Sequence, residues 1–226
     1  MSPLTNLRRL AISLAMFAVV TLASATLARA DSVVLNLNRG STLPNQNYGT
    51  ITLTLNGSGG INVSIALLPG NRIVHTGFDA SVAFNNTLGG QIGVSGLPGT
   101  YTLVNSGNPS SIGMDGFGTF NYGVLFGPNG GGAGTDSSLT FTVTRAGGFS
   151  SVFQLVQNST NPPGSLQSPF AVDIICDSCS GGATGIVGTS LPTPTPNPQA
   201  PEPTSMLLLG TGLFGIATGI RRRFRK

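Results

Sequence analysis

The sequence predicts an all-β domain over residues 31–190, an antiparallel β-sandwich for which a jelly roll is one admissible strand order. It is flanked by an N-terminal signal helix and a C-terminal transmembrane helix. Three observations carry this. Short runs alternate apolar and polar residues at period two, the pattern of half-buried strands. Gly, Pro and Asn turn signals separate these runs, and many short strands so spaced point to a sandwich rather than to helices. Outside the two termini, no window of ten residues shows helical spacing.

Residues 1–30 read as a signal peptide. Arg8 and Arg9 supply a positive start, residues 10–22 an apolar stretch, and Ala28-Arg29-Ala30 a small-x-small cleavage site. The mature chain is therefore expected to begin at Asp31. The residues around Arg8-Arg9 fit the general secretory route better than the twin-arginine one.

The body opens with a β-rich run at 33–37. Residues 50–55 alternate Thr50, Thr52 and Thr54 with aliphatic residues, and Asn56-Gly57 follows as a type I′ turn signal. Ile61, Val63, Ile65 and Leu67 then alternate with small or polar residues. Further runs fall at 72–76, 80–84, 100–104, 118–126, 139–144, 152–156 and 170–175. About 160 residues suffice for one two-sheet core. The segment 127–136 is so rich in glycine that it is expected to be a flexible connection.

Residues 191–203 form a proline-rich linker, with prolines at 192, 194, 196, 198, 201 and 203. Such a segment favours extended polyproline II and spans roughly 40 Å at ~3.1 Å per residue. Residues 206–220 are free of charge and end in Arg221, Arg222, Arg223, Arg225 and Lys226. As a helix this run is roughly 22 Å long, short for a bilayer core of about 30 Å, so snorkelling Arg side chains or local thinning must close the gap. The basic cluster stays on the cytoplasmic side, which places the chain before Ser205 outside.

The order of parts in residues 201–226 resembles the PEP-CTERM sorting signal of exported bacterial proteins: Pro201-Glu202-Pro203, a short apolar helix punctuated by glycine, then the Arg-rich end. The resemblance covers about a tenth of the chain. It implies recognition by an exosortase, an exosortase-like membrane protease, with cleavage near Pro201-Glu202-Pro203 and release or transfer of the domain upstream. It implies a processing route and no activity.

Charge excludes one class of partner. The formal net charge of the whole chain is +4, yet residues 31–200 hold three Arg, no Lys and six Asp, which leaves −3. Nucleic acid is bound by neutralising phosphates with Lys and Arg, so no nucleic-acid partner is expected.

Few side chains suggest chemistry. Cys176 and Cys179 are the only cysteines. In an exported protein a disulfide is the default for such a pair, with a redox Cys-x-x-Cys and two free thiols as alternatives. His75, the one histidine, reads as a strand residue on a polar face, and no Gly-x-Ser-x-Gly elbow accompanies it. The body has no Glu, which excludes paired glutamates for glycoside hydrolysis. Asp115 and Asp136 lie nearest Gly-rich turns and are the residues to test for calcium, though no Asp-x-Asp-x-Asp-Gly pattern is present. No metal site and no cofactor are expected. Tyr48, Tyr101 and Tyr122 are the candidates for a sugar-binding platform, while residues 114–122 read as core aromatics.

The expectation is an exported surface or extracellular-matrix protein that is not an enzyme, with the membrane, an exosortase-like protease and an exopolysaccharide as partners. A carbohydrate-binding or adhesive module is the alternative, and a secreted hydrolase comes third.

Overall fold

The structure, a computed structural model, describes residues 31–105, 112–128, 134, 136–160 and 166–192. The described chain is all-β and entirely antiparallel, with thirteen strands and no α-helix among the described residues. The strands are β1 (Ser32–Gly40), β2 (Gly49–Leu55), β3 (Ile61–Leu67), β4 (Asn71–Ile73), β5 (Val82–Phe84), β6 (Ile92–Ser95) and β7 (Tyr101–Asn105). They continue with β8 (Ile112–Met114), β9 (Gly118–Phe120), β10 (Tyr122–Phe126), β11 (Ser138–Arg145), β12 (Phe170–Cys176) and β13 (Ala183–Thr189).

Period-two alternation decides which side of each strand is inside. In β3 the residues Ile61, Val63, Ile65 and Leu67 are buried, while Asn62 and Ala66 are exposed. Each neighbour repeats the pattern in register: Leu53 of β2 lies opposite Val63, and Val63 lies opposite Phe141 of β11. The buried faces enclose one main core, from Leu35 on β1 to Val187 on β13. Phe84 stands near its middle, with ring centroids 5.5 Å from Phe170, 6.0 Å from Tyr122 and 6.2 Å from Phe141. Offset aromatic pairs at such separations add to the stability given by burial alone.

The sandwich expectation is corrected by the pairing. Instead of two separate sheets, ten strands follow one hydrogen-bonded path, β6-β11-β3-β2-β1-β13-β12-β5-β10-β7, which curls until it nearly closes into a barrel. The physical cause lies in β1. Its first part, Ser32 to Leu37, pairs with β2, and from Leu37 onward it pairs with β13. The register to β13 slips between Leu37 and Arg39. A bulge of this kind bends a strand and raises its twist, which carries the sheet round a corner without breaking it. Near the open seam, the Tyr122 hydroxyl donates to the carbonyl of Gly90, just before β6.

A second, smaller core lies on the outer face. The hairpin β8–β9 sets Ile112, Met114, Phe117 and Phe120 against Ala83, Ala171 and Ile186 of the large sheet. The approach is close enough to require glycine at position 188, where an added Cβ would stand 2.4 Å from the Phe117 ring. The aromatic stretch 114–122 is thus core, but in two parts. Phe120 belongs to the outer core and Tyr122 to the main one, because the run expected at 118–126 breaks at Asn121. The Asn121 amide donates to Asn85 Oδ1 at 2.8 Å.

Two other expectations change. The run 152–156 forms a 3-10 turn, Val152–Leu155, because Ser151 caps it and Gln154 completes a capping box. The turn after β2 has five residues rather than two, since Asn56 Oδ1 accepts from the amides of Ser58 and Gly60 at 3.0 and 2.8 Å. Among the described residues no helix is long and apolar enough to cross a membrane. The expected signal peptide, the linker beyond Pro192 and the apolar run 206–220 lie outside the described residues.

Candidate functional site

The sorting residues themselves, Pro201, Glu202 and Pro203, lie outside the described residues, as do Ala28, Ala30 and the basic cluster Arg221, Arg222, Arg223, Arg225 and Lys226. What the structure supplies is the pair of positions at which these segments join the domain. Strands β1 and β13 are antiparallel neighbours, with Leu37 opposite Thr189. The end of β13 therefore runs toward the beginning of β1, and the described chain enters and leaves at the same end of the sheet.

Both joints are tied down. At the first, the Asp31 carboxylate accepts from Ser151 Oγ at 2.5 Å and from the Val152 amide at 3.0 Å. Its carbonyl also accepts from the Leu55 amide at 2.8 Å. At the second, Ser168 and Thr189 are both buried and interlock. The Thr189 amide donates to Ser168 Oγ at 2.7 Å, and Thr189 Oγ1 accepts from the Phe170 amide at 3.2 Å. Ser190 Oγ then donates to Asn38 Oδ1 at 2.9 Å, and Leu191 is exposed.

The densest set of polar groups elsewhere surrounds Asp173, which is buried within the otherwise apolar strand β12. Strands β5 and β4 share one edge of β12, pairing with Phe170–Val172 and Ile174–Cys176 respectively. Between them the chain leaves the sheet as a loop, residues 74–81. Asp173 holds both ends of its neck: its carbonyl accepts from the Val74 amide at 3.0 Å, and its amide donates to the Ser81 carbonyl at 2.8 Å. Oδ2 accepts from the amide and the hydroxyl of Thr76, each at 2.7 Å. Burial pushes the carboxyl up to about 6, against the Thr76 hydrogen bonds and the nearby His75, which pull the other way.

This loop forms one wall of a shallow groove of about 410 Å³, with Phe78 and Asp79 on one side and Met114, Asp115 and Thr119 on the other. Asp79 Oδ2 accepts from the Gly113 amide at 3.0 Å and ties the loop to the β8–β9 hairpin. His75 Nε2 lies 3.0 Å from the Phe78 carbonyl. Asp115 stays exposed in the hairpin turn, and Asp136 Oδ2 accepts from the Tyr101 hydroxyl at 2.9 Å. Among the described residues no three His, Cys, Asp or Glu side chains gather where they could hold a metal ion.

Cys176 and Cys179 are joined in a disulfide in the β12–β13 turn. Beside it, Arg72 and Asp177 form an ion pair at 2.7 Å.

The tyrosine platform is overturned by burial. Tyr48, Tyr101 and Tyr122 are 0%, 4% and 5% exposed, so none offers a planar face to a sugar. Each hydroxyl is engaged, by the Pro44 carbonyl, Asp136 and the Gly90 carbonyl respectively. Burial raises Tyr48 and Tyr101 above the usual phenol range, and Asp136 pushes Tyr101 further the same way.

Sequence reasoning placed Asp31 only as the expected first residue of the mature chain and missed its tether to Ser151 and Val152, as well as Asp173 and the Ser168–Thr189 lock. Only Asp173 carried a local signal, a lone carboxylate in the apolar run FAVDIIC.

Comparison with known proteins adds one result. No curated protein and no solved structure matches the chain. A family model does match its C-terminal part, and residues 199–223 are a PEP-CTERM protein-sorting motif.

Proposed function

We propose that this chain is an exported surface or extracellular-matrix protein of non-enzymatic type, whose β-domain is the cargo of its tail. The tail holds the domain at the inner membrane until an exosortase-like protease cleaves near Pro201-Glu202-Pro203. The observation that carries this reading is the PEP-CTERM motif at residues 199–223, which implies export and exosortase processing. The two joints support it. A domain entered at Asp31 and left at Thr189 has both joints on one end of the sheet, and both are tied into it by hydrogen bonds. Mass spectrometry of the mature C-terminus from the native host tests the proposal. Extracellular material ending close to residues 200–204 is the expected result; an intact Lys226 in that material overturns it.

For the delivered domain we propose a neutral exopolysaccharide as partner, by way of an uncharged sheet face rather than a tyrosine platform. Thr52, Ser64 and Thr140 lie in one row across β2, β3 and β11, and Thr54, Asn62 and Thr142 in the next. Rows of hydroxyl and amide groups offer hydrogen bonds without ionic attraction, which suits an uncharged polyhydroxyl chain. Pull-down with host exopolysaccharide is the test. Loss of retention after Thr52→Val and Thr140→Val supports the assignment, and retention by the double variant removes it.

A further inference from the structure

The turn from β2 to β3 gives the Asn56 side chain an unusual set of partners. Its Oδ1 accepts from the Ser58 hydroxyl at 2.7 Å, the Gly60 amide at 2.8 Å and the Ser58 amide at 3.0 Å. The two backbone amides can only donate, which fixes the side-chain oxygen on their side and Nδ2 on the other. Nδ2 donates to Asn62 Oδ1 at 3.3 Å, and the same oxygen accepts from Thr142 Oγ1 at 2.9 Å. A neutral amide oxygen has two lone pairs, so a third donor suits an oxygen that is gaining negative charge. Donors at about 2.7–3.1 Å from such an oxygen are what stabilises a tetrahedral oxyanion.

The next residue supplies a nucleophile. Gly57 is exposed, and among the described residues its amide makes no hydrogen bond. The space beside it is open, since a Cβ built at this position meets nothing within 4 Å. Attack by Gly57 N on Asn56 Cγ closes a five-membered ring, and the electrons of the side-chain carbonyl then move onto Oδ1, into the three donors.

We infer that Asn56 is a self-modifying site, where the turn itself promotes conversion of the asparagine to isoaspartate and aspartate. Hydroxide removes the Gly57 amide proton, and the nitrogen bonds to Cγ. The oxyanion on Oδ1 collapses back to a carbonyl. The Cγ–Nδ2 bond breaks, and Nδ2 leaves as ammonia with a proton from water, which restores the hydroxide. Water then opens the cyclic imide. Addition at Cγ breaks its new bond to Gly57 N and gives aspartate. Addition at the main-chain carbon breaks the original peptide bond and gives isoaspartate, whose backbone runs through the side chain.

Either product replaces the Nδ2 donor by a carboxylate oxygen, so Asn62 Oδ1 loses a partner and meets a negative charge. β2 and β3 carry no charged side chain of their own. Asn62 and Thr142 lie opposite each other in a row proposed above to meet exopolysaccharide. The modification does not rest on that reading, and its test does not use the polysaccharide.

The experiment incubates full-length protein in detergent in 18O-enriched water at mildly alkaline pH. Opening of the imide by labelled water leaves 18O at residue 56. Peptide mass spectrometry follows the label, and electron-transfer fragmentation separates isoaspartate from aspartate. Label is expected to accumulate at residue 56 faster in the folded protein than in the same chain unfolded in guanidinium. Ser58→Ala removes the hydroxyl donor and is expected to slow the folded protein roughly fivefold, the scale of one hydrogen bond, while leaving the unfolded chain unchanged. An Asn56 that reacts no faster folded than unfolded overturns the proposal. So does a folded Ser58→Ala variant that keeps the parent rate. If that variant disturbs the turn, seen as faster exchange of the Gly60 amide, the folded and unfolded parent decide alone.

Discussion

The carboxylate of Asp31 accepts a hydrogen bond from the backbone amide of Val152 at 3.0 Å, joining residues 121 positions apart. Asp31, the residue expected to follow the signal cleavage site, also helps cap the 3-10 turn Val152–Leu155. That turn buries Val152 and Leu155 in the main core. Removing the carboxylate leaves the Val152 donor without its acceptor. Asp31→Ala is expected to cost about 1–2 kcal/mol, within the range for capping and charge-assisted bonds. Asp31→Asn, which keeps an acceptor oxygen, is expected to cost less. Urea denaturation of the signal-processed protein checks both, and equal stability of Asp31→Ala and its parent would remove the cap from the account.

Asp173 gives a pH dependence whose sign is fixed by its environment. Its carboxyl is raised from 3.8 to about 6 in the folded state, so between those values the native protein binds a proton that the unfolded chain releases. The contribution of this group to stability therefore grows as pH falls through the folded value and levels off below the unfolded one. The full swing is on the order of 3 kcal/mol, at ~1.4 kcal/mol for each tenfold difference in proton affinity between the folded and unfolded states. Asp173→Asn cannot titrate and is expected to gain stability relative to the parent as pH rises from about 4 to about 6, and to hold that gain above it. Chemical denaturation of both proteins across this range is the measurement, and parallel curves would contradict it.

Much of this fold can be read from residues, and what cannot has physical causes. β2 and β3 are plain in the alternation of Thr50–Thr54 and Ile61–Leu67, because each buries one face only. β13, ATGIVGT, is hidden because its glycines replace the side chains that would mark the pattern. Gly188 is small for the sake of Phe117, a residue seventy-one positions earlier. The 3-10 turn at Val152–Leu155 looks like a strand by composition, although Ser151 and Gln154 do spell a capping box. Closure into a near-barrel depends on Leu37 meeting Thr189, a pairing that no local window contains. The candidate sites divide in the same way. The sorting tail is legible because its motif is carried by contiguous residues, whereas the buried Asp173 carboxylate finds its partner in Thr76, 97 positions away.

The disulfide between Cys176 and Cys179 closes a very short loop. Chain entropy predicts modest stabilisation for such a loop, ~2 kcal/mol. Cys176 is fully buried against the main core, so its replacement also disturbs packing, whereas Cys179 packs only at the edge. Cys179→Ser is expected to lower stability by about the entropic amount. Cys176→Ser, which adds a buried hydroxyl, is expected to lower it more. Thermal unfolding of the two variants, with the reduced parent as reference, separates the contributions. A Cys179→Ser variant more damaging than Cys176→Ser would reverse this assignment.

Gly188 tests how far the outer core depends on close approach. A methyl group at this position would stand 2.4 Å from one Phe117 ring carbon and 2.8 Å from Ser168 Oγ. The ring is fully buried and Ser168 is held by Thr189, so neither has an easy way to yield. Gly188→Ala is expected to destabilise the domain by about 1–3 kcal/mol, as overpacking does. The damage should concentrate in the β8–β9 hairpin, with faster amide exchange at Gly113 and Thr119 while β2 and β3 keep their protection. Phe117→Ala relieves the clash, so the double variant is expected to lose less than the sum of the two single changes. Strict additivity in that cycle would show that the methyl group and the ring do not meet.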